Sequence, residues 1–224
     1  MARGRRRRKS RKRILVAYLL RTICILILIG LITGMVFLVK HFTKNISFEK
    51  KETFAENTIE INKKGQVIGD IYEDFSESYY VESELSEMIN DEIEDYNKLT
   101  GNASAVKLKD YSVNEGKAIV SIEYLDSEEY RGFNGKELYV GKVSDLQDKG
   151  IVFDKNLISV SDSTTFISST DINSISDYNA IVTEENVMII CPSKILYYTS
   201  NVDLQNKTSG RAKTEGGYAV VIYK

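Results

Sequence analysis

Residues 58–101 read TIEINKKGQVIGDIYEDFSESYYVESELSEMINDEIEDYNKLTG, and the spacing of their apolar side chains changes once along the stretch. The first part alternates around Ile59 and Ile61, turns at residues 63–65, and alternates again from Val67. A period of two interrupted by a glycine-containing turn is typical of a β-hairpin. The sequence therefore predicts two antiparallel strands at the start of this stretch.

The second part has the period of a helix. From residue 83 to residue 99 the apolar side chains recur at spacings of three and four, at Leu85, Met88, Ile89, Ile93, Tyr96 and Leu99. Gly101 follows directly, and glycine is the commonest residue just beyond a helix end. We predict an amphipathic helix that ends at this glycine and covers one face of a sheet.

A second alternating stretch, residues 106–124, turns at residues 114–116 and predicts another hairpin. Residues 127–133 predict a short helix with Ser127 as its N-cap. Residues 138–143 predict one more strand.

These elements predict an α+β fold class over residues 57–150, with one long amphipathic helix on an antiparallel sheet. Residues 159–177 are rich in Ser and Thr, which is typical of turns and edge strands. Four further strands are predicted at Ala180–Val182, Val187–Cys191, Ile195–Thr199 and Tyr218–Tyr223. The polar stretch 200–217 predicts a mobile loop. The sequence leaves open whether residues 151–224 form a β-rich subdomain or continue the same sheet.

The N-terminal region contains a long apolar run. Thr22–Val39 holds 18 residues without a formal charge, and Ile14–Leu20 extends the run beyond Arg21. At 1.5 Å per residue the inner run corresponds to roughly 27 Å of helix, close to the hydrocarbon thickness of about 30 Å. Arg21 lies near the basic end, where its side chain can reach the headgroups. We predict a transmembrane helix over residues 14–39.

The segment before this helix is strongly basic, and the arginines that we expect to set its topology are Arg5, Arg6, Arg7, Arg8, Arg11 and Arg13. The positive-inside rule then places residues 1–13 in the cytoplasm, residues 40–56 outside as a stalk, and the remaining chain in an extracytoplasmic domain. A cleaved signal peptide also has a basic start and an apolar centre, so cleavage is the competing interpretation. No clear small-x-small site precedes Lys40.

Charge is distributed unevenly along the chain. The ten basic residues before position 40 all lie in the first 21 positions, whereas from Lys40 onward 20 basic residues face 32 acidic ones, a net charge of −12. The basic tail has no interleaved aromatic residues and adjoins the predicted membrane helix. We therefore predict that it contacts the lipid bilayer and not a nucleic acid.

Several kinds of catalytic or cofactor site are disfavoured by residue type. The single histidine, His41, falls in the predicted stalk, and no phosphate-binding glycine loop, zinc helix or CxxC pair occurs. We therefore predict no metal, no cofactor and no catalytic residue. Cys24 falls in the predicted membrane helix and Cys191 in the outer domain, so they cannot pair within one chain. We expect Cys191 to be buried.

Acidic residues leave two alternatives open. Asp74 with Glu77, or Glu128 with Glu129, could serve as the carboxylate pair of a polysaccharide hydrolase. The predicted long helix also carries a line of acids that could bind calcium or a cationic partner, although a solvated face is the common explanation, at Glu84, Glu87, Asp91 and Glu94.

Four segments carry a resemblance, namely IEINKKGQVIGDIYEDF (59–75), YYVESELSEMINDEIEDYNKLTG (79–101), VKLKDYSVNEGKAIVSIEY (106–124) and EYRGFNG (129–135). Through them the chain resembles a recurrent domain of uncharacterised lipoproteins and membrane-anchored exported proteins of clostridia-like Gram-positive bacteria. The resemblance implies an extracytoplasmic α+β domain and brings no activity with it. This chain lacks a lipobox, so its predicted helix takes the place of the lipid anchor.

The leading hypothesis is a single-pass, non-catalytic binding or scaffold protein at the cell envelope, with an envelope protein or the cell wall as its partner. Fourteen tyrosines, including the adjacent pairs at 79–80 and 197–198, mildly favour a binding surface. One alternative is a cell-wall polysaccharide hydrolase. Another is a structural or sensory subunit of a membrane complex, packed through the GxxxG spacing of Gly30 and Gly34.

Overall fold

The structure is a computed structural model of the chain, and it describes residues 55–152, 155–168, 171–213 and 217–224. The described residues form two β-sheets and two α-helices, so the predicted α+β class is confirmed. Among them no helix is both long enough and apolar enough to cross a bilayer. The predicted tail, membrane helix and stalk lie outside the described residues, apart from the last two residues of the stalk.

The first hairpin forms where the alternating pattern predicts it. Strand β1 (Thr58–Ile61) pairs antiparallel with β2 (Val67–Asp74). In the turn the Asn62 side chain accepts hydrogen bonds from two backbone amides, at 2.8 and 3.1 Å. Gly65 has a φ of +83°, which glycine adopts without strain. The turn chemistry thus sets the register of the two strands.

Helix α1 (Glu82–Thr100) also forms as predicted and ends at Gly101, whose φ is +68°. Its buried residues are Ile89 and Ile93, four positions apart and therefore on one face. The helix packs through this narrow stripe on the sheet.

The apolar stripe of α1 is narrower than predicted, because Met88 is 52% exposed and Leu99 is 85% exposed.

Strand β3 (Val106–Asn114) follows the helix. The Asn97 side chain donates to the Val106 carbonyl at 2.9 Å and accepts from the Val106 amide at 3.0 Å. Asn97 therefore lies beside the first residue of β3, and Leu99 extends past the end of the strand.

The second hairpin pairs β3 with β4 (Lys117–Tyr124). Its turn residues Glu115 and Gly116 both have positive φ, +51° and +73°, as in the tight turns that match strand twist. A short helix α2 (Ser127–Asn134) follows β4.

The predicted N-cap of α2 is wrong by one residue. The Asp126 carboxylate accepts hydrogen bonds from the amides of Glu128 and Glu129, at 2.8 and 3.0 Å, and Asp126 has extended backbone angles. Ser127 is already helical and buried, and its hydroxyl oxygen accepts from the Val140 amide at 3.2 Å. The aspartate is the cap because it is the last non-helical residue.

The remaining strands are β5 (Leu138–Lys142), β6 (Leu157–Ser159), β7 (Phe166–Ile167), β8 (Asn179–Thr183), β9 (Met188–Ile190), β10 (Ile195–Thr199), β11 (Val202–Leu204), β12 (Ser209–Ala212) and β13 (Ala219–Tyr223). Two 3-10 turns lie at Val143–Asp145 and Ile172–Ile175. Strands β11 and β12 fall in residues 200–217, so the loop predicted there is wrong. The Asn206 side chain accepts from the amides of Thr208 and Ser209, which closes a hairpin in this polar stretch.

The first sheet has the order β11-β12-β9-β1-β2-β4-β3 and the second the order β5-β8-β13-β10-β6-β7. Neighbouring strands are antiparallel except β1 and β9, which are parallel. Residues 151–224 thus contribute strands to both sheets. Glu56, the last residue of the predicted stalk, is bound by the Arg211 guanidinium of β12 at 2.6 and 2.9 Å.

The core has two clusters, one on each face of the second sheet. In β13, Ala219, Val221 and Tyr223 belong to the cluster that also packs against the helices and the first sheet. Val220 and Ile222 belong to the other cluster, with the first 3-10 turn. All five residues of β13 are buried.

The cap assignment leads to a prediction. Replacing Asp126→Ala removes the acceptor for two amides of α2, and we expect the free energy of unfolding to fall by about 1 kcal/mol. Urea denaturation of a fragment spanning residues 54–224 measures the change. Asp126→Asn keeps an oxygen acceptor and is the control, with a clearly smaller loss expected. An alanine variant as stable as the parent would contradict the assignment.

Candidate functional site

A groove of about 500 Å³ runs along the first sheet between the two helices. Strands β2 and β4 form its floor, and α1 and α2 form its sides. We name it the helix–sheet groove, and it is lined by Ile71, Glu73, Asp74, Phe75, Tyr80, Leu85, Ile89, Glu92, Ala118, Val120, Ile122, Phe133 and Asn134. Most of these side chains are apolar, and the volume lies in the range of ligand-binding pockets.

The groove exists because α1 is held over β3, at the edge of the sheet. The Tyr111 hydroxyl donates to the Glu82 carbonyl at the start of α1, at 3.1 Å, and Asn97 binds Val106 near its end. At the far side Tyr96 and Phe133 bring the two helices together, with ring centroids 5.4 Å apart. The helices therefore close one end of the groove and leave the floor open toward the other.

Apolar side chains continue from the open end onto the surface. Tyr80 stacks on Phe75, with centroids 4.8 Å apart, and Tyr79 meets Tyr80 edge-on at 4.8 Å. Tyr79 is 71% exposed, and Val81 and Met88 are also exposed. We call Tyr79, Tyr80, Val81 and Met88 the lip. Exposed aromatic and methionine side chains beside a groove are typical of interaction surfaces.

The rim of the groove is acidic. Residues 73–95 contain ten acidic residues and no basic one. Glu73 and Glu92 line the groove and are exposed, and in the described part of the chain neither forms an ion pair. Hydrogen bonds from the Ser76 hydroxyl and amide lower the pKa of Asp74. The groove therefore combines an apolar floor with a rim of net negative charge.

A smaller cavity of about 180 Å³ lies on the other side of Ile71 and Asn134, which border both. In it the Tyr130 hydroxyl donates to the Glu185 carboxylate at 2.8 Å. The Tyr124 hydroxyl donates to the Asn134 side chain at 3.3 Å. We call this the tyrosine pocket.

The electrostatics of the tyrosine pocket favour neutral groups. Burial raises the pKa of Tyr124 to about 12 and also raises the pKa of Tyr130. Burial raises the pKa of Glu185, although the Tyr130 hydrogen bond and the charge of Lys136 act in the opposite direction. The two phenols stay protonated near neutral pH, so they act as hydrogen-bond donors and not as nucleophiles.

A third cavity of about 420 Å³ lies beside α2 and β5 and is lined largely by polar groups. The Glu128 carboxylate binds the Lys149 ammonium there at 2.7 Å, which lowers the pKa of Glu128. Glu129 instead accepts from the Tyr96 hydroxyl at 2.8 Å. The two members of this candidate carboxylate pair therefore bind different partners on either side of α2.

The other candidate acids are all exposed. Asp74 lies in the groove wall, and Glu77 is exposed beyond it. The four acids in line on α1 are all exposed, and Glu94 binds Lys98 at 2.8 Å. Among the residues that the structure describes, no group of three His, Cys, Asp or Glu side chains could hold a metal ion.

The remaining candidates divide between the core and the undescribed region. Cys191 is buried, as predicted, and burial raises the pKa of its thiol. Tyr197 and Tyr198 are half-buried in β10, so of the two tyrosine pairs only the first is on an open surface. His41, Cys24, the six topology arginines, and Gly30 and Gly34 lie outside the described residues.

Sequence reasoning missed the groove itself. Ala118, Val120 and Phe133 line it, yet in the sequence they are indistinguishable from other core residues of a hairpin and a short helix. The one signal that could have indicated a surface was the run 73–95, where acidic and aromatic residues occur together without a basic residue.

Comparison of the chain with protein-family models, with curated proteins and with solved structures finds no match. The resemblance to exported proteins of Gram-positive bacteria therefore stays a prediction.

The raised pKa of Glu185 predicts a pH effect on stability. Above the ordinary glutamate pKa of 4.5 the unfolded carboxyl releases its proton, whereas the folded one retains it to higher pH. This group therefore lowers the free energy of unfolding as the pH rises through that window. Glu185→Gln keeps the acceptor for Tyr130 and removes the titration, so its stability relative to the parent should increase from about pH 4 to about pH 7.

Urea denaturation of the fragment 54–224 across this pH range measures the effect. Glu184→Gln changes the neighbouring exposed residue and is the control. A stability difference between Glu185→Gln and the parent that does not change with pH would contradict the prediction.

Proposed function

We propose that the chain is a single-pass membrane-anchored binding protein at the cell envelope and that it has no catalytic activity. In this proposal residues 14–39 span the bilayer with the N-terminus in the cytoplasm. The described part of the chain then lies outside the membrane and binds an envelope protein or the cell wall.

The observation that carries the binding function is the helix–sheet groove. The groove is open to solvent between the two helices, and Tyr80 of the exposed lip also lines it. The floor residues Ala118, Val120 and Ile122 are buried, whereas the lip residues Tyr79, Val81 and Met88 are exposed, so part of the apolar surface at the groove is not covered within the fold. This exposed apolar surface becomes buried when another molecule occupies the groove.

The support for the anchor comes from the N-terminal sequence. An uncharged apolar run of 18 residues is long enough to span, and the basic residues before it favour a cytoplasmic N-terminus. The strongly acidic remainder of the chain is compatible with this orientation.

The alternative of a wall hydrolase receives no support from the two candidate carboxylate pairs, Asp74 with Glu77 and Glu128 with Glu129. Such an enzyme needs one protonated carboxyl beside one carboxylate. In each candidate pair one member has a lowered pKa, Asp74 through the Ser76 hydrogen bonds and Glu128 through Lys149, which favours its charged form.

The topology can be tested by protease protection on intact cells that express the full chain with a tag at each end. We expect the C-terminal tag to be digested and the N-terminal tag to be protected, with an intact N-terminus by mass analysis. A mature chain that begins near residue 40 would identify the apolar run as a cleaved signal peptide and would overturn the anchor.

The basic residues provide a matched test of orientation. Replacing Arg5, Arg6, Arg7, Arg8, Arg11 and Arg13 together by Ala should expose the N-terminal tag in a fraction of the molecules, because the charge bias that orients the helix is reduced. As the control, six lysines of the outer part are replaced by Ala, namely Lys63, Lys64, Lys107, Lys109, Lys136 and Lys207. This control should leave the orientation unchanged.

A further inference from the structure

We propose that the helix–sheet groove binds a cationic amphipathic segment of another protein, with the apolar face of that segment on the groove floor. This inference rests on the proposed binding function and names the class of its partner. The negative rim then pairs with Lys or Arg side chains on the polar face of the segment.

The shape of the groove suits a peptide segment. It has an apolar floor, one end closed by the Tyr96 and Phe133 contact, and one end open at the lip. A peptide helix that lies in a groove inserts side chains at helical spacing, and a volume of about 500 Å³ accepts several of them. Methionine and tyrosine at the lip can adjust to the inserted side chains.

Charge complementarity selects the partner. The lining includes three carboxylates, at Glu73, Asp74 and Glu92, and no basic side chain. On the segment 73–95 that contributes one side of the groove, all ten charged residues are acidic. A fatty acid or an anionic lipid would bring like charge to this rim, whereas a cationic segment neutralises it.

The same helix offers a matched pair of charge variants. Glu92 lines the groove, whereas Glu87 lies on the opposite side of α1, five residues and about 140° away. Both side chains are exposed, and substitution by Lys changes the net charge equally. Any difference between the two variants therefore reports position and not total charge.

Helix α1 also offers a matched pair of apolar variants. Met88 belongs to the lip, and Leu99 is exposed near the other end of the helix, beyond the start of β3. Both substitutions to Ala remove exposed apolar surface from α1, and Ala is a good helix former. Neither is expected to unfold the protein.

The measurement is fluorescence anisotropy with the full-length chain in phosphatidylcholine nanodiscs, since this lipid is neutral and empty discs serve as a blank. The probe is a labelled peptide of roughly 18 residues with Leu and Lys at helical spacing. Two reference peptides have the same length, one with Leu and Glu in the same pattern and one with Lys and Ser.

We expect the Leu and Lys peptide to bind at least about tenfold more tightly than either reference peptide. Glu92→Lys and Met88→Ala should each weaken binding about three- to tenfold, whereas Glu87→Lys and Leu99→Ala should stay within about twofold of the parent. If Glu92→Lys and Glu87→Lys weaken peptide binding equally, the binding is a general attraction between opposite charges. That result would overturn the proposal.

Two further outcomes would also overturn it. Displacement of the peptide by oleate, with oleate binding more tightly, would assign the groove to a lipid. Much tighter peptide binding after deletion of residues 2–13 would mean that the basic tail of this chain already occupies the groove. Protease protection reports the anchor independently, so failure of the groove and failure of the anchor are distinguishable.

Discussion

Burial of β13 on both faces is the constraint on which the rest of the fold depends. Its five residues are apolar without interruption, and alternate side chains enter different core clusters. The second sheet therefore lies between the two clusters. The helices and the first sheet pack on one of its faces, and the 3-10 turns pack on the other. The parallel pairing of β9 with β1 then connects the C-terminal strands to the N-terminal hairpin, so that both halves of the chain build one first sheet.

Within this frame the position of α1 is set by polar contacts. The Asn97 side chain makes two hydrogen bonds to the backbone of Val106, and Tyr111 binds the carbonyl of Glu82 at the other end of the helix. Both contacts are to β3, the edge strand, so the helix axis stays over the edge and not over the centre of the sheet. The groove over β2 and β4 is a direct consequence, and α2 is too short to cover what α1 leaves open.

Local patterns predicted most of the elements, because hairpins and amphipathic helices are specified by neighbouring residues. The two N-terminal hairpins, the long helix and its glycine cap, and the burial of Cys191 are confirmed. The hairpin of β11 and β12 was missed, since its strands have few apolar residues and β12 is held in the sheet by pairing with β9. The groove could not be predicted, because Ala118, Glu92 and Phe133 come together only through the tertiary placement of two helices. The N-cap of α2 differed by one residue, since both Asp126 and Ser127 are good caps and only the backbone angles distinguish them.

The groove combines two features that each cost stability in the isolated fold. The apolar side chains of the lip stay accessible to water, and each Å² of them that remains exposed forgoes roughly 25 cal/mol of stabilisation. Acidic side chains concentrated along residues 73–95 repel one another, although Lys98 pairs with Glu94 and Asp95, and Lys117 attracts Asp74. A cationic amphipathic segment relieves the two costs at once, and this coincidence of open apolar surface and like charge at one place is the physical reason for assigning the groove to such a partner.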